Sequence, residues 1–337
     1  MKISLLIPCY NEEKSIRGSI ESWLNQSRPA DEIIVVNDSS TDGTLAILKE
    51  YEGKIKIVTT HKNMSNKSHA QEYGLKFVTG DIFVATDADT ILDHRFIEEI
   101  SKCFNDVSVD AAGGYIKSIK NNWLTACRAF EYCISQNIHK LAQSYIDSMF
   151  VIPGAAGAFR TNIFKKFLTF DHDTITEDLD FTYKLHELNL RIAYNTKAIV
   201  FTQDPFSLGA YINQIRRWFG GGFQNLKKHY MTLGEPYRAL EWSLIYAEGI
   251  IFSFASLLLP FISIYLSLYF IALYFLVLIP LSVFASIKEK RSDLMFIPFS
   301  YTFLMYINSW IFLEQFIKVI LFNKVNLIWF KPERAKI

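Results

Sequence analysis

Short apolar runs alternate with helix-spaced apolar positions from the start of the chain. Residues 3–7 form one run; Ile16, Ile20, Trp23 and Leu24 then fall at i, i+4, i+7 and i+8, one face of a helix. Residues 33–36 form a second run, and Thr41-Asp42-Gly43 opens a helix carrying Leu45, Leu48 and Tyr51. A third run at 55–58 precedes a helix near 68–78, and a fourth at 82–85 runs straight into Asp87. Strands apolar on both faces and separated by helices predict an α/β fold: a mostly parallel sheet with right-handed crossovers and flanking helices. Ligands of such sheets sit beyond the carboxyl ends of the strands. Asn11, Asp38 and Asp87 each lie just past a predicted strand end.

From 110 to 200 the pattern is less regular. Trp123, Cys127, Phe130, Ile134, Ile138, Leu141 and Tyr145 keep helical spacing and predict one long amphipathic helix. Gly154-Ala155-Ala156-Gly157-Ala158 is too small-residued for a helix interior and reads as a close-approach loop. Three long apolar stretches follow, at about 242–259, 261–284 and 294–313, split by Pro260 and by Lys288-Glu289-Lys290-Arg291. Each approaches the roughly 20 residues that cross a bilayer. The expected division is a catalytic head at 1–235, transmembrane helices at 236–322 and a basic tail at 323–337.

The first apolar run is too short for a secretory signal, so the head is expected in the cytoplasm of a multi-pass membrane protein. Two crossings then return Lys288 to Arg291 to the cytoplasmic side, as the positive-inside tendency favours. A third would carry Lys324, Lys331, Arg334 and Lys336 across, so that segment reads as re-entrant or as an exception to the tendency.

Half of the 337 residues are hydrophobic, with the excess concentrated beyond residue 240. A formal net charge of +1 argues against a nucleic-acid partner. Cys9, Cys103, Cys127 and Cys133 form no C-x-x-C pair and stand at no zinc-ligand spacing from a histidine; free thiols in a reducing compartment are expected. No G-x-G-x-x-G or Walker-type loop occurs, and Gly220-Gly221-Gly222 follows no strand.

Four short signatures carry the candidate chemistry. Asp87-Ala88-Asp89 sets two carboxylates on one turn, a donor set for a hard divalent cation with open positions for diphosphate oxygens. Asp38 is placed to accept hydrogen bonds from a base or ribose, with Asp42 or Thr41 capping the helix that follows. Thr176-Glu177-Asp178 opens a helix: its carboxylates either complement the helix dipole or supply a general base, Asp178. In Gln214-Ile215-Arg216-Arg217-Trp218, Arg217 offers a planar fork for diphosphate oxygens and Trp218 a flat face for a sugar ring; an aromatic anchor beside a membrane is the alternative. Lys67 and Arg160 are further candidates for phosphate or carboxylate, or plain surface charges.

With Ile7-Pro8-Cys9-Tyr10-Asn11-Glu12, Val36 to Gly43 and Gly154 to Arg160, these signatures run in order from residue 1 to about 225. In that order the chain resembles the family 2 glycosyltransferases, and within them the membrane branch of cellulose, chitin, hyaluronan and poly-N-acetylglucosamine synthases. The resemblance implies a GT-A fold and inverting transfer from a nucleotide-sugar with Mg²⁺ or Mn²⁺. It implies that Pro8, Tyr10, Glu12, Asp38 and Lys67 line the nucleotide and Asp87 its phosphates. Asp89 would hold the metal with Asp87, and Asp178 would be the base. Gln214 and Arg217 would hold the diphosphate, while Glu177 and Trp218 would face the acceptor. Asn66, Lys67 and Glu72 stand where the family has Gly-Lys and a downstream Asn.

The expected activity is sugar transfer, from UDP by resemblance, to a growing glycan or lipid-linked acceptor beside a lipid bilayer. Single transfer to a polyprenyl phosphate or lipid-linked oligosaccharide is one alternative, and an inactive membrane scaffold keeping the fold is another.

Overall fold

The computed structural model describes residues 1–64, 66–168, 171–230 and 236–324. Every residue of β1 (Ile3–Cys9) is buried, because helices cover both faces of the sheet to which it belongs. Its side chains alternate between two cores. Ile3, Leu5 and Ile7 pack with Ile16, Ile20 and Trp23 of α1 (Ile16–Leu24), while Leu6 packs with Ile34, Val36 and Ala70 on the opposite face. Truncating a fully buried leucine such as Leu6 to alanine costs about 2–5 kcal/mol.

Beside β1 run β2 (Glu32–Asn37) and β4 (Ile82–Ala85), both parallel to it, with Leu6 opposite Ile34 and Ala85. Beyond β2 lies β3 (Lys56–Thr59), also parallel. The intervening helices are α2 (Thr44–Lys49) and α3 (Lys67–Leu75). A Cβ at Gly74 would stand 2.5 Å from Leu6 and Val36 side-chain atoms, so a glycine here is what lets α3 lie directly on the sheet.

The order of the eight strands is β3-β2-β1-β4-β7-β6-β8-β5, completed by β5 (Ile91–Leu92), β6 (Val109–Ser118), β7 (Gly157–Arg160) and β8 (Arg191–Thr202). The parallel expectation holds for the first four strands; β7 joins β4 antiparallel, Ala85 opposite Gly157, and β6 joins β7 antiparallel. The sheet is therefore mixed. The Gly154 to Ala158 stretch, expected as a loop, is half strand: its small residues let β7 enter the sheet interior, where Ala156 and Ala158 are fully buried.

The remaining helices of this half are α4 (Phe96–Lys102), α7 (Thr161–Phe167) and α8 (Glu177–Glu187). The predicted helix over 123–145 is helical throughout, as α5 (Trp123–Ile134), a π-helical turn at Ser135–His139 and α6 (Lys140–Tyr145). Asn122 caps it reciprocally with Thr125.

The chain forms two compact units. Among the described residues, one comprises those of 1–117 and 140–203, and the other those of 118–139, 204–230 and 236–324. The second holds α5, α9 (Leu208–His229), α10 (Pro236–Ile262), α11 (Ile264–Glu289) and α12 (Ile297–Phe316). Three helical stretches, Tyr237–Ile262, Ile264–Glu289 and Ser292–Leu321, are long and apolar enough to cross a membrane. Ser256 donates to Ser309 at 2.8 Å, tying α10 to α12 between small side chains. Arg291 is paired with Asp293 at 2.7 Å, so this part of the predicted basic cluster is neutralised. Of the predicted basic tail, 325–337 lies outside the described residues.

Candidate active site

Asn66 caps α3 by accepting from the Ser68 N–H at 2.9 Å, which sets Lys67 at the first position of the helix. The Lys67 ammonium is 2.6 Å from Asp87 Oδ1 and 2.9 Å from Glu177 Oε1. It therefore joins the turn after β4 to the start of α8. Burial alone would push the lysine's pKa down; Asp87 and then Glu177 outweigh it and hold the ammonium above the ordinary lysine range. Lys67 is therefore not a plain surface charge.

Asp178 sits in the first turn of α8. Its two oxygens accept from the N–H of Leu179 at 2.9 Å and of Gly154 at 3.3 Å. Burial, then the charge of Glu177, push its pKa above the ordinary carboxylate value, against the pull of Lys67. Asp178, Thr182 and His186 fall at i, i+4 and i+8, on one face of α8. Thr182 accepts from the Ile152 N–H at 2.9 Å, and His186 Nε2 meets the Met149 carbonyl at 2.8 Å. Three rungs thus fasten the 149–154 segment along the helix that carries Asp178. A Cβ at Gly154 would come within 3.2 Å of the Lys67 nitrogen and 3.4 Å of Asp178, so a glycine allows this close passage. A small cavity of about 20 Å³ lies here, lined mostly by apolar residues such as Leu6, Phe83 and Phe181, with Glu177 and Asp178 also in its lining.

Asp87 and Asp89 flank a turn closed by the Thr90 N–H donating to the Asp87 carbonyl at 3.1 Å. Asp89 is buried, whereas the Asp87 side chain is about one-third exposed, at 34%. As a donor set, two carboxylates with oxygen-only chemistry fit a hard Mg²⁺ or Mn²⁺ ion. Asp87 already faces one cation, the Lys67 ammonium.

At the other strand ends the polar side chains have partners within the protein. Asn11 and Ser39 adopt left-handed backbone, φ 54° and 53°, and Asn11 Oδ1 accepts from the Thr41 N–H at 2.7 Å. Asp42 accepts from the Thr44 N–H at 3.0 Å, but Gly43 is the N-cap of α2 and makes no side-chain cap bond, so neither Asp42 nor Thr41 provides the expected cap. Asp38 is not left free: it accepts from Thr60 Oγ1 at 2.8 Å, Asn63 Nδ2 at 3.2 Å and the Met64 N–H at 3.0 Å. Glu12 is buried and accepts from Ser15 at 2.8 Å. Pro8 is paired with Val36 inside the sheet, and Tyr10 follows the last residue of β1. Arg160 donates to the carbonyls of Val109 at 2.7 Å, Asp106 at 3.1 Å and Phe104 at 3.3 Å, which makes it a backbone tie and not a phosphate ligand.

Gln214, Arg217 and Trp218 are carried by α9 in the second unit. The Gln214 Oε1 is buried without a hydrogen-bond partner. One face of Trp218 carries the guanidinium of Arg128, 4.4 Å from the ring centroid, which leaves only the opposite face for a sugar. Arg128 is itself buried, paired with Glu131 and, at 3.4 Å, with Asp204.

Two residues near this chemistry carry no motif. Arg128 is one. Lys140 is the other: it is buried, and burial lowers its pKa to about 8 although the charge of Asp178 pulls the other way. A lysine inside a helix of apolar spacing gives no sign in the sequence of which way it points. The polar stripe of Asp178, Thr182 and His186 was a readable signal. All four cysteines are free, and burial pushes the thiols of Cys103 and Cys127 up to about 11, away from reactivity.

A mixed α/β sheet with two carboxylates on the turn after β4 fits the sugar-transferring class of α/β folds. The family model described as glycosyltransferase like family 2 matches residues 2–221, and the chain belongs to that family. It is 29% identical over 236 residues to a poly-beta-1,6-N-acetyl-D-glucosamine synthase of Staphylococcus epidermidis, covering 68% of this chain and 57% of the relative. It is 29% identical over 235 residues to a hyaluronan synthase of Streptococcus pyogenes, covering 64% and 56%. The chain thus spans little more than half the length of these relatives. Among solved structures, a mannosyltransferase from Pyrobaculum calidifontis in complex with GDP-Man and Mn²⁺ superposes with TM-score 0.66 at 17% identity, over 96% of this chain and 88% of that one. TarS 1–349 of S. aureus with UDP-GlcNAc gives 0.57 at 18% identity, over 96% and 93%. These likenesses establish the GT-A-like fold: a mixed α/β sheet followed by three long apolar helices.

Proposed function

We propose that this chain transfers a sugar from a nucleotide-sugar to a hydroxyl of a growing glycan or lipid-linked acceptor, with inversion at the anomeric carbon. The observation that carries this reading is the Lys67 ammonium shared between Asp87 and Glu177, which brings the strand-end carboxylates and the base-bearing helix to one place. The acceptor oxygen bonds to the anomeric carbon as the bond from that carbon to the diphosphate breaks. The hydroxyl proton passes to Asp178, and the electron pair leaves with the nucleoside diphosphate. A raised pKa moves Asp178 toward the pH at which a base is effective. A divalent ion held by Asp89 and Asp87 would supply countercharge for the departing diphosphate.

Pro8, Tyr10, Glu12, Asp38 and Lys67 are the proposed nucleotide residues, Gln214 and Arg217 the diphosphate residues, and Glu177 and Trp218 the acceptor residues. The donors named with the solved neighbours support a UDP- or GDP-linked sugar. The polymer products named for the relatives support a glycan acceptor. Three membrane-length helices support a site beside a bilayer, with the head on the cytoplasmic side because Lys288 and Lys290 stand at the C-terminal end of the second of them.

Asp178→Asn is expected to lower transfer by about 10²–10⁴-fold while donor binding persists. Full activity in that variant removes the base. Labelled donor and purified enzyme, with products sized, separate polymerisation (a ladder) from single addition.

A further inference from the structure

On the outer side of α3 stands a second group of metal-ligand side chains that the transfer chemistry does not use. His69 and Glu72 lie three residues apart on that helix and so share a face. His172 reaches them from the segment leading into α8. Its imidazole stacks on that of His69 with centroids 3.5 Å apart, and its Nε2 is 3.4 Å from Glu72 Oε2. One ligand atom from each of the three lies within 4.8 Å of the others. We propose that His69, Glu72 and His172 bind a borderline divalent transition metal, Zn²⁺ in the first instance, clamping α3 to the segment before Thr176.

The geometry is close to what such an ion needs. Ligand atoms on one tetrahedral zinc stand roughly 3.4 Å apart, given bonds of about 2.0–2.2 Å. The His172–Glu72 edge already has that separation, and the stacked His69 and His172 rings would have to turn out of parallel for both lone pairs to meet one ion. The Nδ1 of His172 is buried with no hydrogen-bond partner, while its Nε2 faces Glu72 and the side chain is about one-third exposed.

Two imidazoles and one carboxylate select differently from the oxygen-only pair at 87 and 89. The nearby Asp171, Asp173 and Asp180 are a poorer site, because Lys184 already lies 2.9 Å from Asp171 and 2.8 Å from Asp180. His69 is two residues from Lys67, and His172 stands just ahead of the helix bearing Glu177 and Asp178. An ion here would hold together the two elements that Lys67 bridges. The inference is independent of the transfer reaction.

The test is Co²⁺ and Zn²⁺ binding by the full chain, stripped with chelator and held in detergent or nanodiscs. Visible absorption of four-coordinate Co²⁺ and competition by Zn²⁺ are the readouts. The wild type and Asp89→Asn should show the same four-coordinate Co²⁺ absorption, whatever ion the oxygen-only pair at 87 and 89 takes up. His172→Ala and His69→Asn should each weaken binding by at least about 10-fold, with circular dichroism reporting that each is folded. Absence of Co²⁺ binding by the wild type overturns the proposal. So does binding that both histidine variants retain, or a spectrum that disappears only in Asp89→Asn.

Discussion

Lys67 and Glu177, from opposite ends of the catalytic unit's sequence, meet at 2.9 Å, and the same ammonium holds Asp87 at 2.6 Å. Their side chains are 15%, 13% and 34% exposed, between a surface pair and a fully buried one. Lys67→Met leaves two carboxylates facing each other without a cation. The expected loss is about 2 kcal/mol, between the roughly 0–1 of exposed pairs and the 3–5 of buried ones. Thermal unfolding of Lys67→Met against Lys67→Met/Glu177→Gln checks this. The second substitution should restore part of the loss, and an unchanged midpoint in the single variant would show the bridge to be energetically idle.

With Asp178 as the proposed base, Glu177 should also shift its working pH. Burial raises the pKa of Asp178 first and the negative charge of Glu177 second, and a base acts only when deprotonated. In the wild type, kcat/KM should therefore rise with pH along a limb lying above the ordinary carboxylate range. Glu177→Gln removes a like charge, so the limb should move to lower pH. A pH–rate profile decides, and a limb that stays in place detaches Glu177 from the titration.

How far this site could be read in the chain depended on whether local pattern or tertiary pairing decided each residue. The runs at 3–7, 33–36 and 82–85 are apolar on both faces, so their strands and the polar residues beyond them could be placed from spacing alone. The meeting of Asp87 with Glu177 could not, because it depends on how α8 returns to the sheet. Nor could β7: Gly157 and Ala158 have loop-like composition, and only pairing to Ala85 and Val84 makes them a strand. Asp38 has the expected position, but its carboxylate is met by Thr60, Asn63 and Met64 from a segment whose path no periodicity predicts. Arg160 offered either a phosphate or carboxylate partner or a plain surface charge by sequence; the carbonyls of Phe104, Asp106 and Val109 instead bind it.

Lys140 gives a prediction of opposite sign to Glu177. Its folded pKa of about 8 lies below the ordinary 10.5, so between those values the unfolded chain binds a proton that the folded chain does not. Stability should rise as pH rises through that window, and Lys140→Met should abolish the rise. Below pH 8 the same substitution removes a positive charge that favours ionised Asp178, moving the acid limb of kcat/KM upward. Unfolding midpoints across pH 7–11 test the first effect. A wild type whose midpoint does not climb in that window relative to Lys140→Met contradicts the buried, depressed ammonium.

Arg128 bears on the acceptor. Its guanidinium lies 4.4 Å from the Trp218 ring centroid and 4.7 Å from that of Tyr132, and it is ion-paired to Glu131 and Asp204. A planar cation both stacks and forks, whereas an ammonium keeps the charge and loses the flat contact. In Arg128→Lys the charge pairing with Asp204 and Glu131 can persist while Trp218 loses the surface that fixes its plane. With Trp218 as the acceptor platform, the acceptor KM should rise several-fold and the donor KM should stay near the wild-type value. Arg128→Met should instead destabilise the chain, by about 3–5 kcal/mol, because it leaves buried Asp204 without its cation. Equal rises in donor and acceptor KM for Arg128→Lys would mean that the stack supports the fold generally and has no particular bearing on the acceptor.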